Sequence, residues 1–307
     1  MTTELDIDMY ETDDATGKNW HLMLGDSCER LAEIEENSVG LSVYSPPFAS
    51  LFTYSPSVRD LGNAADRQEF LRHYGYIIRE MLRITMPGRV SCVHVQQLTT
   101  TKAMTGYTGL TDFRGEVIRA YVEEGWIFHG EVTVNKDPQA QAIRTKAQAL
   151  MFVTKNRDSA ATRPALADYL LLFRKPGDNL VPIKNDVSND DWIIWAQPVW
   201  WDIRETRTLN ARLGREAADE RHICPLQLDF IERCVRLWSN PGETVVSPFA
   251  GIGSEVYTAV KLGRRGVGIE LKPSYWAQAV KYLKDLEVEL GNPVLDFGDA
   301  DAASEGW

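Results

Sequence analysis

Between residues 243 and 270 the chain reads as one unit, and no other stretch restricts its fold as much. A short β-branched strand (243–246) feeds a turn of small residues, Ser247-Pro248-Phe249-Ala250-Gly251-Ile252-Gly253-Ser254. A helix (255–262) closed by Gly263 follows, and a second strand (265–269) finishes at Glu270. A strand that enters a helix through a tight turn and returns to a parallel strand commits the chain to a parallel sheet covered by helices. The same unit prescribes a ligand. Small residues let the backbone approach a nucleoside, and a carboxylate nineteen positions after Gly251, at the end of the next strand, can accept from two ribose hydroxyls. Gly251 and Gly253 do not make a GxGxxG match, so the nucleoside reading rests on their combination with Glu270.

The remainder alternates in the same way. Residues 39–44 (VGLSVY) form an apolar β-branched run stopped by Ser45-Pro46-Pro47, because proline cannot continue a ladder. Apolar residues at helical spacing over 70–84 stop before Pro87-Gly88, and 89–95 reads as the next strand. A helix over 113–124, strands over 126–134, 149–153 and 169–173, and a helix over 225–239 complete the series. That last helix carries Phe230, Ile231, Cys234, Val235 and Trp238 on one stripe. Between 175 and 220 the period dissolves into polar, Trp-rich sequence containing Trp192, Trp195, Trp200 and Trp201, which reads as an inserted recognition region. The predicted architecture is one α/β domain over 1–307 with a doubly wound, mainly parallel sheet. It has a catalytic half over about 20–175, the insert over about 175–220, a cofactor-binding half over about 221–290 and an acidic tail over 291–307.

Charge bears on the partner. The formal net charge of −11 argues against a polyanion, but residues 1–36 hold −9 of it and residues 285–307 another −7, which leaves +5 on the body. Residues 136–175 alone carry +5, from Lys136, Arg144, Lys146, Lys155, Arg157, Arg163, Arg174 and Lys175 against Asp137, Asp158 and Asp168. Screening over about 8 to 10 Å lets such a strip meet phosphates on an acidic molecule. No apolar run approaches a bilayer span, and the acidic start is unlike a signal peptide, so a soluble, unprocessed cytoplasmic chain is expected. Cys28, Cys92, Cys224 and Cys234 form no CxxC pair, the five histidines form no HExxH or HxH pair, and GxxxxGK[ST] is absent. These patterns offer no disulfide framework, metal centre or P-loop.

Ser45-Pro46-Pro47-Phe48, followed some 200 residues later by the glycine turn at 247–254, resembles the DNA amino-methyltransferases, which methylate adenine N6 or cytosine N4. The order, catalytic motif first and cofactor motif last, is similar to the permuted beta-class group. Gly25-Asp26 ahead of the first motif, His222-Ile-Cys-Pro225 and residues 263–283 also match, so the resemblance spans about 22–283. It implies a Rossmann-like methyltransferase fold, S-adenosylmethionine as cofactor, and DNA as partner. Cofactor contacts fall to Asp26, Phe249, Gly251, Gly253 and Glu270, with Asp26 near the cofactor's adenine amine. Ser247 departs from the family, which usually has Asp there. A hydroxyl is a weaker partner than a carboxylate for the cofactor's ammonium group.

The resemblance also implies the chemistry. An exocyclic amine shares its lone pair with the ring and must move toward sp³ geometry to attack a methyl group. Acceptors on its N–H groups favour that change, and these are the Ser45 side chain and the Pro46 carbonyl, with Pro47 stiffening the turn and Phe48 stacking on the base. Serine at position 45 resembles the cytosine-N4 subgroup more than the adenine-N6 subgroup. Cytosine C5 chemistry would need a Pro-Cys nucleophile, and here only the reverse pair Cys224-Pro225 occurs. The alternatives are a cofactor-binding or DNA-mimicking module without turnover, and an RNA or protein amide methyltransferase. The family's frequent dimers leave a homodimer open as a partner.

Overall fold

The computed structural model describes residues 11–47, 67–100, 102–139, 141, 150–152, 155–156, 158–184, 186–210 and 225–291. Phe48, Arg144, Lys146, Arg157, the 211–224 stretch with His222 and Cys224, and the tail after 291 lie outside the described residues.

The strands are β1 (Asp13–Thr16), β2 (Trp20–Leu24), β3 (Val39–Tyr44), β4 (Thr85–Gln96), β5 (Leu98–Thr100), β6 (Gly109–Thr111), β7 (Ile127–Val134), β8 (Asp168–Arg174), β9 (Val199–Trp200), β10 (Thr244–Ser247) and β11 (Arg265–Glu270). The helices are α1 (Ser27–Arg30), α2 (Arg67–Ile84), α3 (Lys102–Thr105), α4 (Phe113–Glu123), α5 (Asn189–Trp195), α6 (Leu228–Trp238), α7 (Ser254–Lys261) and α8 (Pro273–Gly291). One nine-stranded sheet runs β1-β2-β11-β10-β3-β4-β8-β7-β9, and β5 pairs with β6 apart from it. The five strands from β2 to β4 are mutually parallel, whereas β8 is antiparallel to both β4 and β7. This is the doubly wound, mainly parallel sheet expected.

Burial explains the strand compositions. All six residues of β3 are buried, as a parallel strand covered on both faces requires. Met23, Tyr44, Val246 and Ile269 pack with α2 and α4 side chains such as Phe70, Ile77, Met81, Val117 and Tyr121. Leu41, Val43 and Val245 pack on the opposite face with Phe230, Ile231 and Val235 of α6. Helices α7 and α8 cover β2 through Val256, Ala279 and Leu283.

Two expectations need correction. Strand β4 starts at Thr85 rather than 89: Val39 pairs with Thr85 and Leu41 with Val90, so Pro87-Gly88 bulges out of the ladder. No strand forms at 150–152. Phe152 is 88% exposed, and the edge of β7 is taken by β9 instead. The insert is therefore stitched to the main sheet through β9, and its tryptophans divide. Trp200 is fully buried against Phe230, while Trp192 and Trp201 face solvent. Among the described residues, no helix is long and apolar enough to cross a membrane.

Candidate active site

Strand order places the motifs. From β10 the chain crosses by α7 to β11 on one side, and from β3 it crosses by α2 to β4 on the other. The gap between β10 and β3 is thus a topological switch point, where open parallel sheets bind ligands beyond the carboxyl ends of their strands. Those ends, in sheet order, carry Gly25-Asp26 after β2, Glu270 on β11, the 247–254 turn after β10 and Ser45-Pro46-Pro47 after β3.

Around the 247–254 turn, both carboxylate oxygens of Glu270 are engaged by backbone. Oε2 accepts from the Gly251 N–H at 2.7 Å and Oε1 from the Lys272 N–H at 2.9 Å. The two glycines serve different ends. Gly253 caps α7 at φ +85°, and a Cβ there would come within 2.9 Å of the Ala279 Cβ, so glycine lets α8 close on the turn. Gly251, at φ +54°, would direct a Cβ into open space, leaving an approach a ligand can use. Ser247 and Ser254 are buried, and neither hydroxyl has a hydrogen-bond partner among the described residues. An open glycine face beside two orphaned buried hydroxyls fits a polar cofactor, since such groups are costly unless something bonds them.

Neighbouring groups tie this turn down. The Ser27 hydroxyl donates to the Pro248 carbonyl, and the Gly25 N–H donates to the Glu270 carbonyl at 2.9 Å. Asp26 caps α1, accepting from the Cys28 N–H at 2.9 Å, a structural duty the sequence reading did not assign. Phe249 packs inward, its ring 5.7 Å from Tyr44 and 6.3 Å from Tyr74. Glu255 is buried in the first turn of α7. Burial pushes its carboxyl up to about 8, and the negative charge of Glu270 adds to the rise.

At the end of β3, Pro46 is buried and Ser45 and Pro47 are half-buried. Beneath them the Tyr44 hydroxyl bonds those of Tyr74 and Tyr121. Burial pushes the Tyr121 phenol up to about 12, so the cluster is neutral and holds the end of β3 in place. The Ser45 hydroxyl lies 3.1 Å from His94 Nδ1, and His94 Nε2 lies 2.9 Å from Asp168 Oδ2. Lys136 Nζ meets the same Asp168 oxygen at 2.7 Å. The sequence reading missed His94 and Asp168 at this site and counted Lys136 as part of a basic strip. Only the β4/β8 register, which sets Gln96 opposite Asp168, brings them together.

The basic strip is partly internal. Lys136 is buried, and Lys175 bonds the Asn37 side chain at 2.7 Å and the Arg83 carbonyl. In the insert, Arg204 and Arg207 both pair with Asp229 of α6. Burial opposes the Asp229 charge, but the two guanidiniums hold its carboxyl far below the usual carboxylate range.

Comparison with known proteins bears on the family and the fold. The N6/N4 methyltransferase model, described as DNA methylase, matches residues 39–281. The Type II methyltransferase M1.MboII of Moraxella bovis is 25% identical over 276 residues, covering 84% of this chain and 94% of that one. A proposed DNA modification methylase of Thermus thermophilus, solved with S-adenosyl-L-methionine, superposes with a TM-score of 0.64 at 23% identity, over 86% of this chain and 94% of the other. The cytosine-N4-specific PvuII DNA methyltransferase superposes at 0.59 with 19% identity, over 91% and 95% of the two chains. The chain belongs to the N6/N4 DNA methylase family, and it is an S-adenosylmethionine-dependent DNA amino-methyltransferase.

Proposed function

We propose that the chain methylates the N4 amine of cytosine in DNA, with Ser45 and Pro46 as the amine's acceptors and the 247–254 turn and Glu270 as the cofactor's seat. The supporting observation is that Ser45-Pro46-Pro47 and the Gly251 turn leave adjacent strands at the switch point, so a base held at one faces a cofactor held at the other. When bound, S-adenosylmethionine supplies an electrophilic methyl group on its sulfonium. Ser45 and the Pro46 carbonyl each accept one N–H of the target amine, drawing the nitrogen toward sp³ geometry. Phe48 stacks on the extruded base and offsets part of the few kcal/mol that unstacking costs. Gly251 leaves room for the cofactor, and the Ser247 and Ser254 hydroxyls are available to its polar end. Glu270, oriented by two backbone N–H groups, presents its carboxylate to the ribose hydroxyls. Asp26, at the end of β2 two strands from the turn, borders the cofactor's adenine, and Phe249 supports the turn from below.

Recognition falls to the 175–220 insert. Two of its arginines, Arg204 and Arg207, are committed to Asp229, which leaves fewer of its arginines to read base edges, each good bidentate contact being worth about 1 to 3 kcal/mol. A short or relaxed site of about two to four base pairs follows, unless a homodimer pools two inserts. A host modification role beside a nuclease, as the Type II name of the Moraxella relative implies for that enzyme, fits a cytoplasmic location. Digestion of treated DNA to nucleosides names the base. N4-methylcytosine is the expected product, and N6-methyladenine as the sole product would move the assignment to adenine.

A further inference from the structure

Among the described residues, the two groups to which the Ser45 hydroxyl can donate belong to one residue: His94 Nδ1 at 3.1 Å and the His94 carbonyl at 3.3 Å. The far side of the ring decides which Nδ1 form is present. Burial pushes the Asp168 carboxyl up, but the hydrogen bond from His94 and the charge and hydrogen bond of Lys136 outweigh it and hold the group below its usual value. Asp168 is therefore ionised and only accepts, taking Gln96 Nε2 at 2.7 Å on Oδ1 and Lys136 and His94 Nε2 on Oδ2. Nε2 thus carries a hydrogen, and in the neutral ring Nδ1 turns a lone pair to Ser45.

Lys136 makes this form stable. Its Nζ, 2.7 Å from Asp168 Oδ2, gives the carboxylate a cationic partner besides the ring. Described groups near the ring include Ser45 from the end of β3, Gln96 of β4, which bonds Asp168, and the Phe230 ring edge at 5.3 Å from α6. Asp229, next to Phe230, is engaged by Arg204 and Arg207.

We propose that His94 is a positioning residue that fixes Ser45 as an acceptor and, through it, receives the proton the target amine sheds. The inference rests on the reading of Ser45 given above. Attack forms the N–C bond from the amine lone pair and breaks the C–S bond, whose electrons go to sulfur, leaving a cationic nitrogen. One N–H bond then breaks and returns its pair to nitrogen. That proton passes to Ser45 Oγ as the hydroxyl's own proton moves to His94 Nδ1, giving an imidazolium that faces Asp168 and later releases its proton to water. With its hydrogen directed at His94, Ser45 keeps its lone pairs for the amine.

The test measures cofactor affinity by calorimetry, together with the single-turnover rate on DNA from pH 5.5 to 9, for His94→Gln, Lys136→Met and Ser45→Ala. His94→Gln should bind cofactor like the wild type, lose about tenfold to a hundredfold in rate, and lack the acid limb of the pH profile. Lys136→Met should approach the wild-type rate at high pH with its acid limb displaced upward, because Asp168 then has lost its second cationic partner. A rate for His94→Gln within about threefold of wild type with the acid limb unchanged overturns the proposal. So does an unmoved limb in Lys136→Met, which decides the matter if His94→Gln does not fold. If instead Ser45→Ala keeps the wild-type rate, the assignment of Ser45 itself falls and takes the relay with it. An inactive Ser45→Ala beside a fully active His94→Gln removes the relay alone.

Discussion

Glu255→Gln should make the protein more resistant to alkaline pH, by an amount the structure sets. The Glu255 carboxyl titrates near 4.5 when exposed and near 8 in the fold, where burial is the main cause and Glu270 adds repulsion. Between those values the folded chain holds a proton the unfolded chain has released, so stability is fully present below about pH 4.5 and falls as pH rises toward 8. Each pH unit in that window costs about 1.4 kcal/mol, or about 4 kcal/mol from pH 5 to pH 8. Glutamine has nearly the same shape and no charge to bury, so it removes the slope. At about 2 °C per kcal/mol for a chain of this size, the variant's Tm should gain about 8 °C on the wild type between pH 5 and pH 8. Calorimetric melts at pH 5, 6.5 and 8 read this directly. Parallel Tm curves for the two proteins would show that Glu255 is ionised in the fold and refute the reasoning.

Other outcomes follow from the same geometry. Gly251→Ala and Gly253→Ala each bear about 1 to 2 kcal/mol of left-handed strain, but only Gly253→Ala also overlaps Ala279. It should melt lower, while Gly251→Ala loses mainly cofactor affinity; equal melting points would contradict the division. Glu270→Ala should weaken cofactor binding by about 1.5 to 3 kcal/mol in calorimetry, whereas Phe48→Ala should lower turnover and leave that affinity alone. Because Arg204 is paired with Asp229, Arg204→Ala should leave the slope of log K for DNA against log salt unchanged. A drop of about 0.9 would reveal a phosphate contact.

The parallel unit at 243–270 was legible because its signals are local: a β-branched run, small residues in the turn, a helical stripe and a terminal acid all lie within 28 residues. Ser45-Pro46-Pro47 was legible for the same reason, since proline marks a strand end wherever it falls. The His94, Asp168 and Lys136 cluster had no such mark. Its members come from β4, β8 and the segment after β7, and only sheet register joins them. Lys136, taken as a surface cation, is buried because Asp168 compensates it. Trp200 looked no different from Trp201 in composition, and the pairing of β9 with β7 buries one and exposes the other. Asp26 was read for a ligand, and what the structure shows it doing is capping a helix.

The central claim, that the two motif turns at the switch point form one methyl-transfer site, is tested most directly by labelled methyl transfer to DNA, comparing wild type with Ser45→Ala at matched cofactor occupancy. The account predicts label on DNA from the wild type, and a rate lower by about a hundredfold or more for Ser45→Ala with unchanged cofactor affinity. Equal labelling by the two proteins, or loss of cofactor binding in step with rate, would contradict it.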